Sequence, residues 1–238
     1  MALSTQELAA LREVEASGNA AQTTQHVLRY VADTLRGRVA VVSSFGAESA
    51  VLLAQVAQYD ATIPVFFLDT LRHFPETLAY RETLTQALGL RDVRILSPQR
   101  PALEARDPHD QLADFDPDAC CALRKVEPLD VVLPEFDVWI TGRKRNQAST
   151  RTALPVVEPQ DDGRVKLNPL AGWSRQEVLA FMESHHLPAH PLVAQGYPSI
   201  GCAPCTRAVG AGEDSRSGRW AGQAKTECGI HRPVSSPS

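Results

Sequence analysis

Five cysteines carry most of the chemistry that this sequence could perform, and their spacing divides them into three groups. Cys120 and Cys121 are adjacent, Cys202 and Cys205 form a C-x-x-C, and Cys228 stands alone in KTECGIH. The N-terminal MALSTQELAALREVE reads as an amphipathic helix without a basic start or apolar signal core, so the chain is expected in the cytoplasm, where thiols stay reduced. An odd number of cysteines cannot all pair, which leaves metal binding or thiol chemistry as the default. Four thiolates suit an iron–sulfur cluster or structural zinc. The adjacent pair separates the two: zinc usually takes spaced knuckles that each wrap one small ion, whereas the separated irons of a cluster can be reached by neighbouring thiolates. Structural zinc, or buried cysteines acting only as small hydrophobes, are the competing explanations. Cys228 is flanked by Lys225, Glu227, Gly229 and His231. Nearby cations raise thiolate content, so Cys228 is the candidate nucleophile; the alternative is an idle surface thiol.

Other segments offer anion chemistry. Ser43, Ser44, Gly46 and Ser49 in SSFGAES fall between a strand and a helix, where backbone N–H groups and the helix dipole favour an anion. Such a turn can also be only a helix cap. It lacks the lysine of the nucleoside-triphosphate loop, which points to a single phosphate or sulfate. Arg216 and Arg219, three apart in EDSRSGRW, suit bidentate recognition of phosphate-like groups, against the alternative of a basic disordered stretch. Arg124 and Lys125 follow Cys121 by three and four residues on a helix, placing a cation near a cluster of negative charge; Lys125 is the candidate to bridge that field and a substrate anion.

Stepping along the chain, apolar spacing predicts helices over 5–17 and 23–36, stopped by Gly37. Strands are predicted over 38–44, 64–69, 92–96 and 137–142, with helices over 49–58, 75–89 and 174–186 between or after them. Alternating strands and helices predict an α/β, doubly wound, mostly parallel sheet. SSFGAES, DTLRHFPET and TGRKRNQASTR all fall at carboxyl ends of strands, where such sheets bind ligands, and so should share one crevice. Composition predicts a body over 1–209 and a mobile tail over 210–238 that carries Cys228. A net charge of −4 argues against bulk nucleic-acid binding, and no apolar run approaches the roughly 18 residues of a membrane span.

Taken together, SSFGAES, LDTLRHFPET, CCALRKVEPL, TGRKRNQASTR, GCAPCTRAVGAGEDSRSGRW and KTECGIH resemble the bacterial and plant-type adenylyl-sulfate (APS) reductases, the iron–sulfur branch of the APS/PAPS reductase family, over residues 38–231. The resemblance implies an adenine nucleotide alpha hydrolase type of fold and a four-iron, four-sulfur cluster on Cys120, Cys121, Cys202 and Cys205. It implies Cys228 as nucleophile, Lys125, Arg151, Arg216 and Arg219 as contacts to the substrate's phosphate and sulfate, and Ser43, Ser44 and Gly46 as the phosphate cradle. Two positions depart from the family pattern: Leu71 stands where relatives often have glycine, and Ser49 where they commonly have an acid.

The implied reaction is attack of Cys228 on the sulfur of adenylyl sulfate, expulsion of AMP, and release of sulfite by a dithiol, thioredoxin or glutaredoxin. With no second tail cysteine and no appended thioredoxin-like domain, the reductant is expected from outside. Three readings compete with this one. The substrate could carry a 3′-phosphate (PAPS). The chain could be an ATP-pyrophosphatase-type adenylating enzyme, although SSFGAES lacks the paired glycines and Asp of that loop. It could also be a non-catalytic iron–sulfur sensor, in which Cys228 would be dispensable. A homo-oligomer is compatible with the sequence, which does not fix it.

Overall fold

The computed structural model describes residues 2–15, 18–210, 212–223 and 225–231. Two helices, α1 (Thr5–Glu15) and α2 (Ala20–Thr34), precede the sheet. α2 starts before the expected residue 23 because Asn19 caps it and Gln22 completes a capping box. The expected end of α1 at 16–17 lies outside the described residues. There follow β1 (Val39–Ser43), α3 (Ser49–Asp60), β2 (Val65–Leu68), α4 (Pro75–Leu88), β3 (Val93–Leu96), α5 (Arg100–Arg106), α6 (Leu112–Phe115), α7 (Pro117–Cys121), α8 (Glu127–Val132), β4 (Val138–Ile140), β5 (Val157–Pro159), β6 (Val165–Leu167) and α9 (Arg175–Ser184). Pro75 occupies the first turn of α4, and Gly89 ends it with a left-handed φ of 62°.

The strands form one six-stranded sheet in the order β3-β2-β1-β4-β6-β5. Every neighbouring pair is parallel except β5 with β6. The four expected strands are present, and the expected α/β, mostly parallel sheet is the architecture found. The hairpin of β5 and β6 was not anticipated: its strands have three residues each, too few to show a period, although the turn at Gly163 adopts the left-handed φ of 83° that an Asp-Gly pair invites.

Alternate residues of the central strands point to opposite sides. Val39, Val41, Val65, Phe67, Val138 and Ile140 join the larger core with residues of α2, α3, α4 and α9. Ala40, Val42, Phe66, Leu68 and Trp139 face a smaller core closed by Leu129 and Leu133, with Ile230 packed against it. The sheet is therefore covered on both faces, as doubly wound sheets require. Strand order runs outward from β1 to β2 and β3 on one side and to β4 on the other. The switch point, at the carboxyl ends of β1 and β4, is where such sheets leave a crevice. No helix among the described residues is long and apolar enough to cross a membrane.

The stretch from 210, expected from composition to be loose, is packed where it is described. Arg207 N–H donates to Gly218 O at 2.9 Å, Trp220 N–H to Cys205 O at 3.1 Å, and Trp220 is buried. One tryptophan anchors a segment whose average composition is polar, which composition alone does not register.

Candidate active site

The crevice is a cavity of about 220 Å³ whose lining includes Ser43, Ser44, Gly46, Lys125, Arg151, Arg216, Arg219 and Cys228. All of the substrate-binding residues expected from the sequence thus meet at one place, together with the expected nucleophile. β1 delivers the loop: Ser43 is its last residue, and α3 begins at Ser49 with its first turn against the cavity. Phe45 adopts a left-handed φ of 47° and buries its ring against Phe67, and Gly46 passes Ile200 so closely that a Cβ there would stand 3.2 Å from its carbonyl oxygen. The turn is therefore fixed with the positive end of the α3 dipole facing the cavity. The expected departure at Ser49 is answered by its neighbour: Glu48 pairs with Lys144 Nζ at 2.8 Å and accepts from Gln147 at 3.2 Å.

Six basic side chains, Lys125, Arg143, Lys144, Arg151, Arg216 and Arg219, line the cavity against two carboxylates, Glu48 and Glu227. Lys144 is taken by Glu48, Arg143 by Glu158, and Arg151 by Glu227. Among the described residues Lys125, Arg216 and Arg219 have no ion-pair partner, so these three present uncompensated charge to an anion. Burial pulls the pKa of Arg216 down to about 10 and lowers that of Arg219, which an incoming anion would reverse. The Arg219 guanidinium lies 4.4 Å from the Trp220 ring centre.

Cys120 and Cys121 close α7, whose N-terminus is capped by Asp116 accepting from Asp118 N and Ala119 N. The chain then runs through a wide π-type turn, Ala122–Val126, into α8. Such turns often mark functional sites, and this one carries Arg124 and Lys125. Arg124 is buried, with its guanidinium bound to Asp107 and Asp110, both at 2.6 Å, and to Thr70 O at 2.9 Å. It therefore ties the cysteine helix to the turn after β2, while its buried Nε, at the cysteine cavity, has no hydrogen-bond partner among the described residues. Lys125 reaches the main cavity and also lines a second, smaller one. Burial alone would lower its pKa, but the fields of Cys202, Cys228 and Cys121 raise it, so the ammonium stays charged.

That second cavity brings together Cys120, Cys121, Cys202 and Cys205, with Thr70, Lys125, Arg219 and Trp220 around them. Thr70 Oγ1 lies 3.2 Å from Cys202 Sγ, and Ala203 N–H donates to Arg72 O at 2.8 Å, joining the C-x-x-C to the turn after β2. Leu71 in that turn has a left-handed φ of 60° and an exposed side chain, the backbone state for which glycine is better suited. Burial raises the Cys120 thiol to about 11 and also raises Cys205, so a bound group bringing positive charge is what would make these two thiolates. The Trp220 Nε1 donor is buried at this cavity without a partner. No group of three or more His, Cys, Asp or Glu side chains among the described residues is placed to hold a single metal ion. Four thiols around one cavity that also holds an orphaned donor are a donor set that suits an iron–sulfur cluster.

Cys228 lines the main cavity, beside a residue of the smaller one. Gly229 passes over Cys121, where a Cβ would stand 3.7 Å from that of Cys121. The neighbouring Cys121 thiol, then Lys125 and Arg219, lower the Cys228 pKa well below its ordinary value against the effect of burial. His231 lies parallel to Trp139 with the ring centres 6.4 Å apart; burial, then Arg143, Arg151, Lys166 and Lys125, hold it neutral. The sequence reading missed Glu48, Lys144, Arg143 and Glu227. The RK pair in TGRKRNQ was a visible signal for two of them; nothing local marks the partners of either acid.

A phosphoadenosine phosphosulfate reductase domain matches residues 38–208 of the chain. An adenosine 5′-phosphosulfate reductase of Mesorhizobium japonicum is 52% identical over 85% of this chain and 80% of its own length. The enzyme of that name in Streptomyces coelicolor is 40% identical over 95% and 96%, respectively. A phosphoadenosine 5′-phosphosulfate reductase of Gloeobacter violaceus is 41% identical over 82% of each. Among solved structures, a phosphoadenylyl-sulfate reductase of Candida auris, as a phosphate complex, superposes with a TM-score of 0.70 at 27% identity over 85% of this chain and 97% of that one.

Proposed function

Because the chain belongs to the phosphoadenosine phosphosulfate reductase family, we propose that it is the oxidoreductase that reduces adenylyl sulfate to sulfite and AMP at the expense of an external dithiol, in the cytoplasm, as a step of sulfate assimilation. The observation that carries this reading is Cys228 beside Lys125 and Arg219, at a cavity where those cations and Arg216 lack ion-pair partners among the described residues.

The substrate's sulfur is electrophilic but its oxygens are anionic, so a thiolate needs cations around it. Lys125, Arg216 and Arg219 offset that repulsion, and the loop from Ser43 to Ser49, with Ser44 and Gly46, receives the nucleotide's phosphate at the α3 N-terminus. Cys228 Sγ attacks the sulfur; the bond from sulfur to the bridging oxygen breaks, and AMP leaves with the electron pair. An S-sulfocysteine remains on Cys228. A thiolate of thioredoxin or glutaredoxin then attacks Cys228 Sγ, sulfite leaves, and the donor's second thiol resolves the mixed disulfide, giving two electrons in all. For a protein donor to reach it, the segment carrying Cys228 must move out of its seat, which makes the described residues between 210 and 231 the mobile unit on the body that precedes them; the end of the expected tail, 232–238, lies outside the described residues.

Cys120, Cys121, Cys202 and Cys205 are the residues that would hold a four-iron, four-sulfur cluster. When bound, it would supply a fixed anionic scaffold that need not change oxidation state, and Lys125, which lines both cavities, would link its field to the substrate's sulfate. Sulfite release by purified protein with reduced thioredoxin, from adenylyl sulfate against its 3′-phosphorylated form, tests the reading. Turnover of the unphosphorylated substrate at higher kcat/KM is expected; turnover of neither would remove it.

A further inference from the structure

Two buried side-chain donors at the cysteine cavity lack a hydrogen-bond partner among the described residues, Trp220 Nε1 and Arg124 Nε. The second belongs to a side chain each of whose other nitrogens is bonded. Arg124 is 2% exposed; its NH1 donates to Thr70 O at 2.9 Å, and its NH2 to Asp107 Oδ2 and Asp110 Oδ1, both at 2.6 Å. Asp107 is itself buried and accepts from Leu112 N–H at 2.9 Å, so the guanidinium is clamped at its far end and Nε is not free to turn toward another partner. An unmatched buried N–H costs more on a charged group than on a neutral one. An arginine fixed this firmly around an idle donor points to an acceptor in the cavity that it lines.

We propose that Arg124 donates its Nε–H to the iron–sulfur cluster, at the Cys120 corner, and that Asp107 positions it. The inference rests on the reading of the four cysteines as cluster ligands. Cys120 and Cys121 are each followed four residues on, about one helical turn, by a cation: Arg124 for the first and Lys125 for the second. Electrostatics divides them in the same way. Burial raises the Cys120 thiol to about 11, and Arg124 is the charge that works most against it; Cys121 is raised by its neighbour Cys228 and by burial, with Lys125 as the chief opposing charge. Lys125 also lines the substrate cavity and Arg124 does not, so Lys125 is shared with the substrate while Arg124 belongs to the cluster alone. The same guanidinium is joined to the second pair of ligands, because Thr70, whose carbonyl it holds, puts Oγ1 3.2 Å from Cys202 Sγ. Two carboxylates already balance the charge of the arginine, so its contribution is a directed N–H rather than a net positive field. A lysine ammonium held by Asp107 would keep the ion pair and offer nothing at the Nε position.

The test uses the full-length chain purified anaerobically with its cluster, as wild type, Arg124→Lys and Asp110→Asn. Hydrogen bonds to cluster sulfur favour the more negative reduced form and so raise the reduction potential. Arg124→Lys should make reduction roughly tenfold less favourable, about 59 mV lower for a one-electron step. It should also lose part of the shift that transfer into heavy water gives to the iron–sulfur stretching bands in resonance Raman spectra. Asp110→Asn removes an ion pair from the same guanidinium but leaves Nε in place, and should keep that isotope shift in full. Equilibrium AMP binding should stay within about threefold of wild type in both variants. An unchanged potential in Arg124→Lys, an isotope shift lost equally in both variants, or AMP binding tenfold weaker in Arg124→Lys would overturn the proposal. Where Arg124→Lys takes up no iron, wild type decides: with nitrogen-15 arginine, the chemically reduced cluster should show electron–nuclear double resonance from a guanidinium nitrogen that persists in Arg72→Lys and Arg219→Lys, and its absence would refute the donor. Wild type without iron would overturn the cluster reading and the proposal with it; iron without these signatures would overturn the proposal alone.

Discussion

Gly201 leaves the space that the Arg219 guanidinium occupies: a Cβ at position 201 would stand 2.5 Å from Arg219 Cζ. The guanidinium is also held by the Trp220 ring and by Cys205 O, 3.4 Å from Nε, so it has one seat, and that seat requires glycine. Gly201→Ala should therefore displace Arg219 while leaving the sheet untouched. Adenylyl-sulfate turnover is expected to fall by roughly 10-fold or more with thermal stability nearly unchanged, and Arg219→Ala added to it should cost little further. Full activity in Gly201→Ala would show that Arg219 does not act from this position.

Removing a cation that lacks an ion-pair partner should be felt in turnover and not in the cluster. Lys125→Ala or Arg219→Ala each deletes a charge-assisted contact, for which about 1.5–3 kcal/mol, or roughly 10- to 150-fold in kcat/KM, is expected. Iron content should stay near that of wild type. Steady-state kinetics with iron analysis of the same preparations measures both, and normal kinetics in the two variants would remove the electrostatic account.

Replacing any one of Cys120, Cys121, Cys202 or Cys205 by serine should have the opposite signature. All four thiols line one cavity, and a cluster held there would couple its binding to folding. Anaerobically purified wild type should carry about four irons per chain with broad absorption near 400 nm, and each variant should lose iron and melt at lower temperature. Stoichiometric zinc in place of iron would sink the assignment.

The fold itself gives a pH dependence. His190 is buried; Leu192 N–H donates to its Nδ1 at 3.2 Å, and Nε2 lies 3.1 Å from Thr77 Oγ1, so the ring is held neutral and burial brings its pKa down to about 4 from the ordinary 6.5. Between those values the unfolded chain binds the proton that the folded chain refuses, so stability should fall as pH drops from 6.5 toward 4. Urea midpoints measured across that window should decline less steeply in His190→Asn than in wild type. Equal slopes would mean that another group carries the effect.

How much of this was legible in the sequence depended on whether the signal was local. Val39, Val41, Phe66 and Trp139 lie in β-branched or apolar runs, so their strands could be read, and the cavity at the ends of β1 and β4 followed from α/β topology. Cys120, Cys121, Cys202 and Cys205 could be grouped by type and spacing alone. Glu48 with Lys144, and Arg151 with Glu227, could not: each acid meets a base far along the chain, and its role is fixed by the pairing rather than by any pattern around it. Arg151 as a substrate contact came from the family resemblance, and its pairing with Glu227 is what the structure adds. The packing of the described residues between 210 and 231 was hidden because Trp220 and Ile230 are single anchors in a polar stretch.

The central claim is that Cys228 takes the sulfonyl group, and the most direct measurement is the mass of the peptide that contains it. After incubation with adenylyl sulfate and no reductant, one AMP per chain and a gain of about 80 Da on that peptide are expected, because the sulfonyl stays on the thiol when AMP leaves. Reduced thioredoxin should then remove the added mass and release sulfite, and Cys228→Ser should keep its iron and bind substrate yet form no adduct. A label on any other residue, or AMP release that needs the reductant from the outset, would contradict the two-step mechanism.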